Sequence, residues 1–227
     1  MARILGTDYF EQRPEGVWSQ EFHEWCDPIA RRIYDEERDR ERTDPLYLRG
    51  GLTDRYPMGH GIRFPDHPTP FKYRVTKMHG NVPPDFVAAQ LFSERVKAKI
   101  EAIEPGVHQF FPVELELPDG SICSDPYWLC GNMNVLDALI LAKSEHMYAK
   151  YPNKEKFPNY YRYEYNANGN PVWALNREVI AGKSLWLDYK LSKMFFSQEL
   201  SKWMDTKGIK GWEESRSATQ PITIIEV

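Results

Sequence analysis

Apolar positions along this chain fall twice into the same order of spacings. The run QLFSERVKAKIEAIEPGVHQFF begins at Gln90, and MFFSQELSKWMDTKGIKGWEE begins at Met194. Phe92-Ser93 aligns with Phe196-Ser197, Val96 with Leu200, and Ile100 with Met204. After a two-residue deletion in the second run, Gly106-Val107 aligns with Gly208-Ile209 and Phe110 with Trp212. Each run predicts an apolar strand end, a serine N-cap, a short amphipathic helix, a glycine stop and a new strand. Ser93 and Ser197 suit the cap because a hydroxyl can accept an otherwise unpaired backbone N–H. Val96, Ile100 and Ile103 line one helical face, and Pro105-Gly106 and Gly208 mark the stops. The matched positions are structural types, so the duplication predicts a scaffold before it predicts a reaction centre.

The other patterns fill in the fold. ARILGTDYF predicts a first strand, closed by Asp8 and EQRPEG. Trp18, Phe22, Trp25 and Ile29 recur at helical spacing. Asp27-Pro28 interrupts them, and Asp as N-cap with Pro in a first turn predicts a second helix starting there. That helix runs into DEERDRER, from Asp35 to Arg42, whose mixed charge reads as a solvated face. Thr43 to Pro84 is rich in proline and glycine and reads as loop, apart from a strand at FKYRVTKM with Phe71, Tyr73, Val75 and Lys77 on one face. Val107, Phe111, Val113, Leu115 and Leu117 share a strand face, and Pro118-Asp119-Gly120 turns the chain after it. Tyr127 to Leu141 begins as a strand, and its second half fits either a strand or a short helix. Alternating tyrosines before an Asn/Gly turn predict a hairpin over Tyr160 to Trp173. Strands and helices mix without βαβ alternation, which predicts an α+β fold with a mixed sheet and short amphipathic helices. A boundary near Asn81 to Pro84 would divide a helical, loop-rich region (1–80) from an α+β domain (81–227), unless the two form one continuous domain.

Composition narrows the function. The chain has 227 residues, 41% hydrophobic and 27% charged, as in an ordinary globular protein. Its net charge of −4 argues against nonspecific nucleic-acid binding, which needs a basic surface. Seven Trp, thirteen Tyr and eleven Phe supply either core or interface anchors. Cys26, Cys123 and Cys130 are an odd count without tight pairing, which predicts free thiols in a reducing compartment. The start has no apolar run of the secretory kind, and no segment approaches the roughly 20 apolar residues of a membrane helix. The expectation is a cytoplasmic protein.

Candidate chemistry is sparse. His60, His67 and His79 match no zinc spacing, and Cys123 and Cys130 are too far apart for a zinc knuckle, so neither metal nor disulfide is expected. His108, Cys123 and Asp125 could be drawn as base, nucleophile and orienter, with nothing in the sequence to make them converge. Asp119 belongs to a turn and should bond the local backbone. Asp137 is placed to cap whatever begins at Ala138. There is no nucleophile elbow, P-loop or dinucleotide fingerprint. The best candidate for recognition is the tyrosine-rich strand, with Tyr161, Tyr163 and Tyr165 on one face and Glu164 on the other.

The strings LFSERVKAKIEAIEPGVHQFFPVEL, LCGNMNVLDAL and REVIAGKSLWLDYKLSKMFFSQELSKWMDTKGIKGWE together resemble the immunity protein 11 family of bacterial polymorphic-toxin systems. The resemblance covers about Phe71 to Glu214. It rests on five pieces in order: the first serine-led helix, the G-V-H-x-F-x-P-V strand, N-V-x-D-A-L, I-A-G-x-x-L-W and the second serine-led helix. It implies a protein that binds a cognate effector toxin and blocks it, in contact-dependent or type VI secretion settings. It implies no catalytic residues and no cofactor, and nucleases are among the toxin chemistries it admits. Tyr161, Tyr163, Glu164 and Tyr165 are the residues expected to meet the toxin. Two other readings stay open on the residues alone: an enzyme, of hydrolytic or other type, using His108, Asp125 or the His60–His79 loop, and a structural or adaptor module.

Overall fold

The computed structural model describes residues 1–7, 14–40, 58, 61–78, 80, 82–88, 90–150, 162–165, 170–188, 190–191, 193–214 and 222–227. Strands β1 (Arg3–Thr7) and β2 (Glu15–Trp18) precede a long helix, α1 (Gln20–Arg40). Then come β3 (Phe71–Lys77), β4 (Phe86–Ala88), β5 (Leu91–Ser93), α2 (Glu94–Ile103), β6 (Gln109–Glu116), β7 (Tyr127–Gly131) and β8 (Val135–Leu136). A 3-10 turn at Leu141–Lys143 leads to β9 (Met147–Lys150), β10 (Arg162–Tyr165), β11 (Val172–Leu175) and the single-turn helix α3 (Arg177–Ile180). The chain closes with β12 (Leu185–Asp188), β13 (Lys193–Phe196), α4 (Gln198–Lys207), β14 (Trp212–Glu214) and β15 (Thr223–Glu226). The class is α+β, with mixed sheets.

The sequence repeat is a repeat of topology. One sheet has the order β2-β3-β6-β7-β5-β4 and the other β14-β1-β13-β12-β8. Within them, β6-β7-β5-β4 and β14-β1-β13-β12 are the same arrangement. A hairpin (β4-β5 or β12-β13) feeds a helix (α2 or α4), and the strand after the helix returns alongside. A third strand is inserted antiparallel between them, giving a split β-α-β unit. In the first copy the insert is β7, which follows directly in sequence. In the second it is β1, from the start of the chain. The duplication thus reaches back to β4 and β12, beyond the aligned residues. The six-stranded sheet draws strands from both sides of the Pro83-Pro84 segment.

The two copies share one core. Phe92, Val96 and Ile100 pack in the same cluster as Phe196, Leu200 and Met204, and all six are fully buried. The other face of the six-stranded sheet packs on α1 through Phe71, Tyr73, Leu115, Phe22 and Cys26. The other face of the five-stranded sheet buries Trp186 and Phe195 against Trp173, Leu175 and Ile224. On the six-stranded sheet the predicted β3 face holds, with Phe71, Tyr73 and Val75 buried, except that Lys77 at its end is exposed.

Three local expectations need correcting. Helix α1 runs through Pro28 instead of restarting there. Phe22, Trp25, Cys26 and Ile29 bind one core from both sides of the proline, and that packing outweighs the one helical bond proline cannot make. The described strands of the expected Tyr160 to Trp173 hairpin, β10 and β11, do not pair with each other. β10 pairs with β9, Tyr163 opposite Ala149 and Tyr165 opposite Met147, while β11 runs parallel to β15. Burial of Trp173 and Leu175 against Ile224 gives β11 a partner other than β10. Finally, only one serine caps with its side chain. Ser197 Oγ accepts the Leu200 N–H at 3.1 Å. Ser93 has the N-cap backbone, but its hydroxyl donates to Asp85 Oδ1 at 2.6 Å. The stops behave as predicted, with Gly106 at φ 67° and Gly208 at φ 60°.

Candidate functional site

The densest chemistry in the described residues is a buried polar node where the two copies meet. Glu104 is the C-cap of helix α2, and the Pro105-Gly106 turn brings His108 back over it. Glu104 Oε2 accepts from His108 Nε2 at 3.2 Å and from the Ser184 hydroxyl at 2.6 Å, and the Ser184 N–H also donates to it. Asn134 Nδ2 donates to Glu104 Oε1 at 2.9 Å and to the Leu185 carbonyl at 2.9 Å. Lys183 Nζ stands 3.8 Å from the same carboxylate. The node therefore ties the end of α2 to the β7–β8 link and to the entry of β12. Burial pushes the Glu104 carboxyl up, but the bonds from His108, Ser184 and Asn134 outweigh it and hold the group at about 2.

These residue types suggest a hydrolase, and the wiring opposes it. The Met133 N–H donates to His108 Nδ1 at 3.3 Å, which leaves the ring proton on Nε2, facing Glu104. His108 thus offers no base to Ser184. The serine's own acceptor is a carboxylate held at about 2, far too weak to take a hydroxyl proton at neutral pH. Ser184 is fully buried as well. Beside the node, a cavity of about 200 Å³ is lined by Ile103, Ile180, Lys183, Trp186 and Gln198. That is smaller than the roughly 300–1,000 Å³ of common small-molecule sites.

Two further carboxylates join distant segments. Asp85 receives a bidentate Arg95 guanidinium at 2.6 and 2.9 Å, the Ser93 hydroxyl, and the Lys210 N–H at 3.0 Å from beyond α4. Burial opposes its charge, yet these donors hold the carboxyl below its usual range. Asp188 is fully buried at the end of β12. Its Oδ2 accepts the Ala138 and Leu139 N–H groups and its Oδ1 accepts that of Leu191. Burial dominates here and pushes the group up to about 6.

The residues singled out from sequence are scattered. His108 lies in the node, while Cys123 packs against the α1-side core and Asp125 is exposed, so the three do not assemble. Cys26 and Cys130 are buried free thiols pushed up by burial, and Cys123 is also free. His60 and His79 lie outside the described residues, and His67 bonds the Thr69 carbonyl. No grouping of three or more His, Cys, Asp or Glu suited to a metal occurs among the described residues. Asp119 bonds Ser121 locally, as expected of a turn. Asp137 does not cap Ala138. It pairs with Lys190 at 2.6 Å, and Asp188 supplies the cap from across the sheet. Tyr161 lies outside the described residues, and Tyr163, Glu164 and Tyr165 stand on β10 in the two-stranded ladder with β9. Sequence reading missed Glu104, Ser184, Asp85 and Asp188. Only Glu104 carried a local clue, its four-residue spacing to His108 across a turn.

Among the described residues no helix is long and apolar enough to cross a membrane. A comparison with curated proteins returns no match. The family model for an immunity protein family (Imm11) matches residues 18–217. The match begins well before Phe71, so it takes in α1 and β3 as well as both aligned repeats. With most of its length matched in this way, the chain belongs to the Imm11 immunity protein family.

Proposed function

We propose that the chain protects a bacterial cell by binding a cognate toxin and blocking it, with no chemistry of its own. The family match carries this reading. The Glu104 node supports it. Its serine, histidine and carboxylate are bonded as a fixed joint, with Glu104 in the middle and no base on the hydroxyl. Inhibition by binding asks for a rigid frame with a few anchoring side chains, and a duplicated scaffold with one shared core is such a frame. Tyr161, Tyr163, Glu164 and Tyr165 remain the proposed toxin contacts, on a ladder outside the two large sheets. The toxin belongs to a polymorphic or type VI system, and a basic nuclease would suit the net charge of −4.

Co-expression with the product of the neighbouring gene, as the candidate toxin, tests the reading. The two proteins should co-purify and growth should be rescued. Replacing a true anchor such as Tyr163 with Ala should weaken binding by about 2 kcal/mol or more and leave the fold intact. Ser184→Ala and His108→Gln should alter protection only as far as they alter stability. A folded Ser184→Ala chain that bound the toxin fully yet failed to protect would return the hydrolytic reading to first place.

A further inference from the structure

The face of the six-stranded sheet opposite α1 is covered by α2 over β5 and β7. The start of β6 is covered too, through Phe110, but over β2, β3 and the end of β6 that carries Glu114 and Glu116 the outward side chains are exposed or half-exposed. The residues there form rows across the strands. Val17 stands opposite Arg74, Arg74 beside Glu116, and Glu116 opposite Ile122. The next row sets Lys72 beside Glu114. The four residues of the first row point into solvent: Val17 is 55% exposed, Ile122 51%, and the Arg74 side chain 64%, with Glu116 partly screened. Read across the sheet, the row is apolar, cation, anion, apolar. That order complements itself when reversed end to end.

We propose that this face is a self-association surface whose occupant is a second copy of the chain, docked about a twofold axis lying between β3 and β6 and parallel to them. Rotation about that axis exchanges β3 and β6 and keeps every residue in its row. Arg74 of each copy then faces Glu116 of the other, Lys72 faces Glu114, and Val17 faces Ile122. A twofold contact requires that if one residue meets another, the second meets the first, and both rows satisfy this with a single axis. The intrachain pairs, Arg74–Glu116 at 2.8 Å and Lys72–Glu114 at 3.3 Å, hold the charges in two strips of opposite sign. In the dimer each strip lies over its opposite, so no like charges meet.

Sedimentation velocity over a concentration series tests the surface. The unaltered chain should pass from monomer to dimer. Reversing one strip (Lys72→Glu with Arg74→Glu) or the other (Glu114→Arg with Glu116→Arg) should weaken self-association at least about tenfold, because like charges then face each other. An equimolar mixture of the two variants should associate again, since each supplies the strip the other lacks. Val17→Asp, which breaks no ion pair, should weaken the dimer independently, and circular dichroism confirms that each variant is folded. A chain monomeric at every concentration, a dimer indifferent to all three changes, or variants that fail to associate when mixed would overturn the proposal. A monomeric chain whose toxin complex is weakened by the Lys72/Arg74 reversal would give this face to the toxin instead.

Discussion

Glu104 and Asp188 are both buried carboxylates, and their surroundings set them on opposite sides of the ordinary range. Glu104 is held at about 2 against an ordinary 4.5, so it contributes stability above pH 4.5 that is lost as pH falls toward 2. Asp188 is pushed up to about 6 from 3.8, so its ionised form burdens the folded state at neutral pH. As pH falls through 6 the folded chain takes up a proton that the unfolded chain does not, and stability rises until about 3.8. Together the two groups predict stability that rises as pH falls from about 6 and is greatest at about pH 4 to 4.5. Urea melts across that range should show the rise on acidification from neutral pH. In Asp188→Asn the rise should vanish, and the variant should be about 1–3 kcal/mol less stable near pH 5, because an amide nitrogen would face backbone N–H groups. The paired serines make a second test at this scale. Ser197→Ala should cost about 1 kcal/mol through the lost Leu200 cap. Ser93→Ala should act through Asp85 instead. Only in the Ser93 series should the cost shrink when Asp85 is already Asn, which a double-mutant cycle would read.

Among the elements, the duplicated serine-helix-glycine unit was plain in the sequence because its signals are local: spacing, caps and stops. Val96/Ile100 and Leu200/Met204 are buried as their periodicity predicts. What local signals could not reveal is partnership. Nothing near Arg3 says that β1 will slot between β13 and β14, and nothing near Tyr163 says that its ladder partner is Ala149. The node was hidden for the same reason. Glu104 and Ser184 are eighty residues apart and meet only because both copies fold onto one core. Gly211 is a further position that only the fold explains. It holds φ 86°, and a Cβ there would lie 2.3 Å from the Phe86 carbonyl oxygen and 2.7 Å from the Pro84 Cβ. Glycine is therefore required where β14 leaves α4 and passes β4. Gly211→Ala should lower the melting temperature far more than Gly208→Ala, whose left-handed site is open and should cost only about 1 kcal/mol. Equal costs for the two would show that the backbone yields easily at the β4–β14 passage.

For the whole molecule, the shared core decides whether the copies behave as two domains or one. Phe92, Ile100, Leu200 and Met204 belong to a single buried cluster, and polar ties cross between the copies, among them Glu104 to Ser184, Asp85 to Lys210, and Lys99 to Glu199 at 2.6 Å. Neither helix can keep its apolar face from water if the other copy unfolds. Exposing both faces would forfeit the burial that holds each unit, so unfolding of one should carry the other with it. Ile100→Ala and Leu200→Ala should each cost about 2–5 kcal/mol. Both should shift one common transition, seen alike by tryptophan fluorescence and far-ultraviolet circular dichroism. Because the two side chains line the same cluster, the double variant should depart from the sum of the singles by more than about 0.5 kcal/mol. Two separate transitions, with each substitution moving only its own, would mean that the repeats are independent modules. The rigid frame invoked for toxin binding would then have to be sought within a single copy.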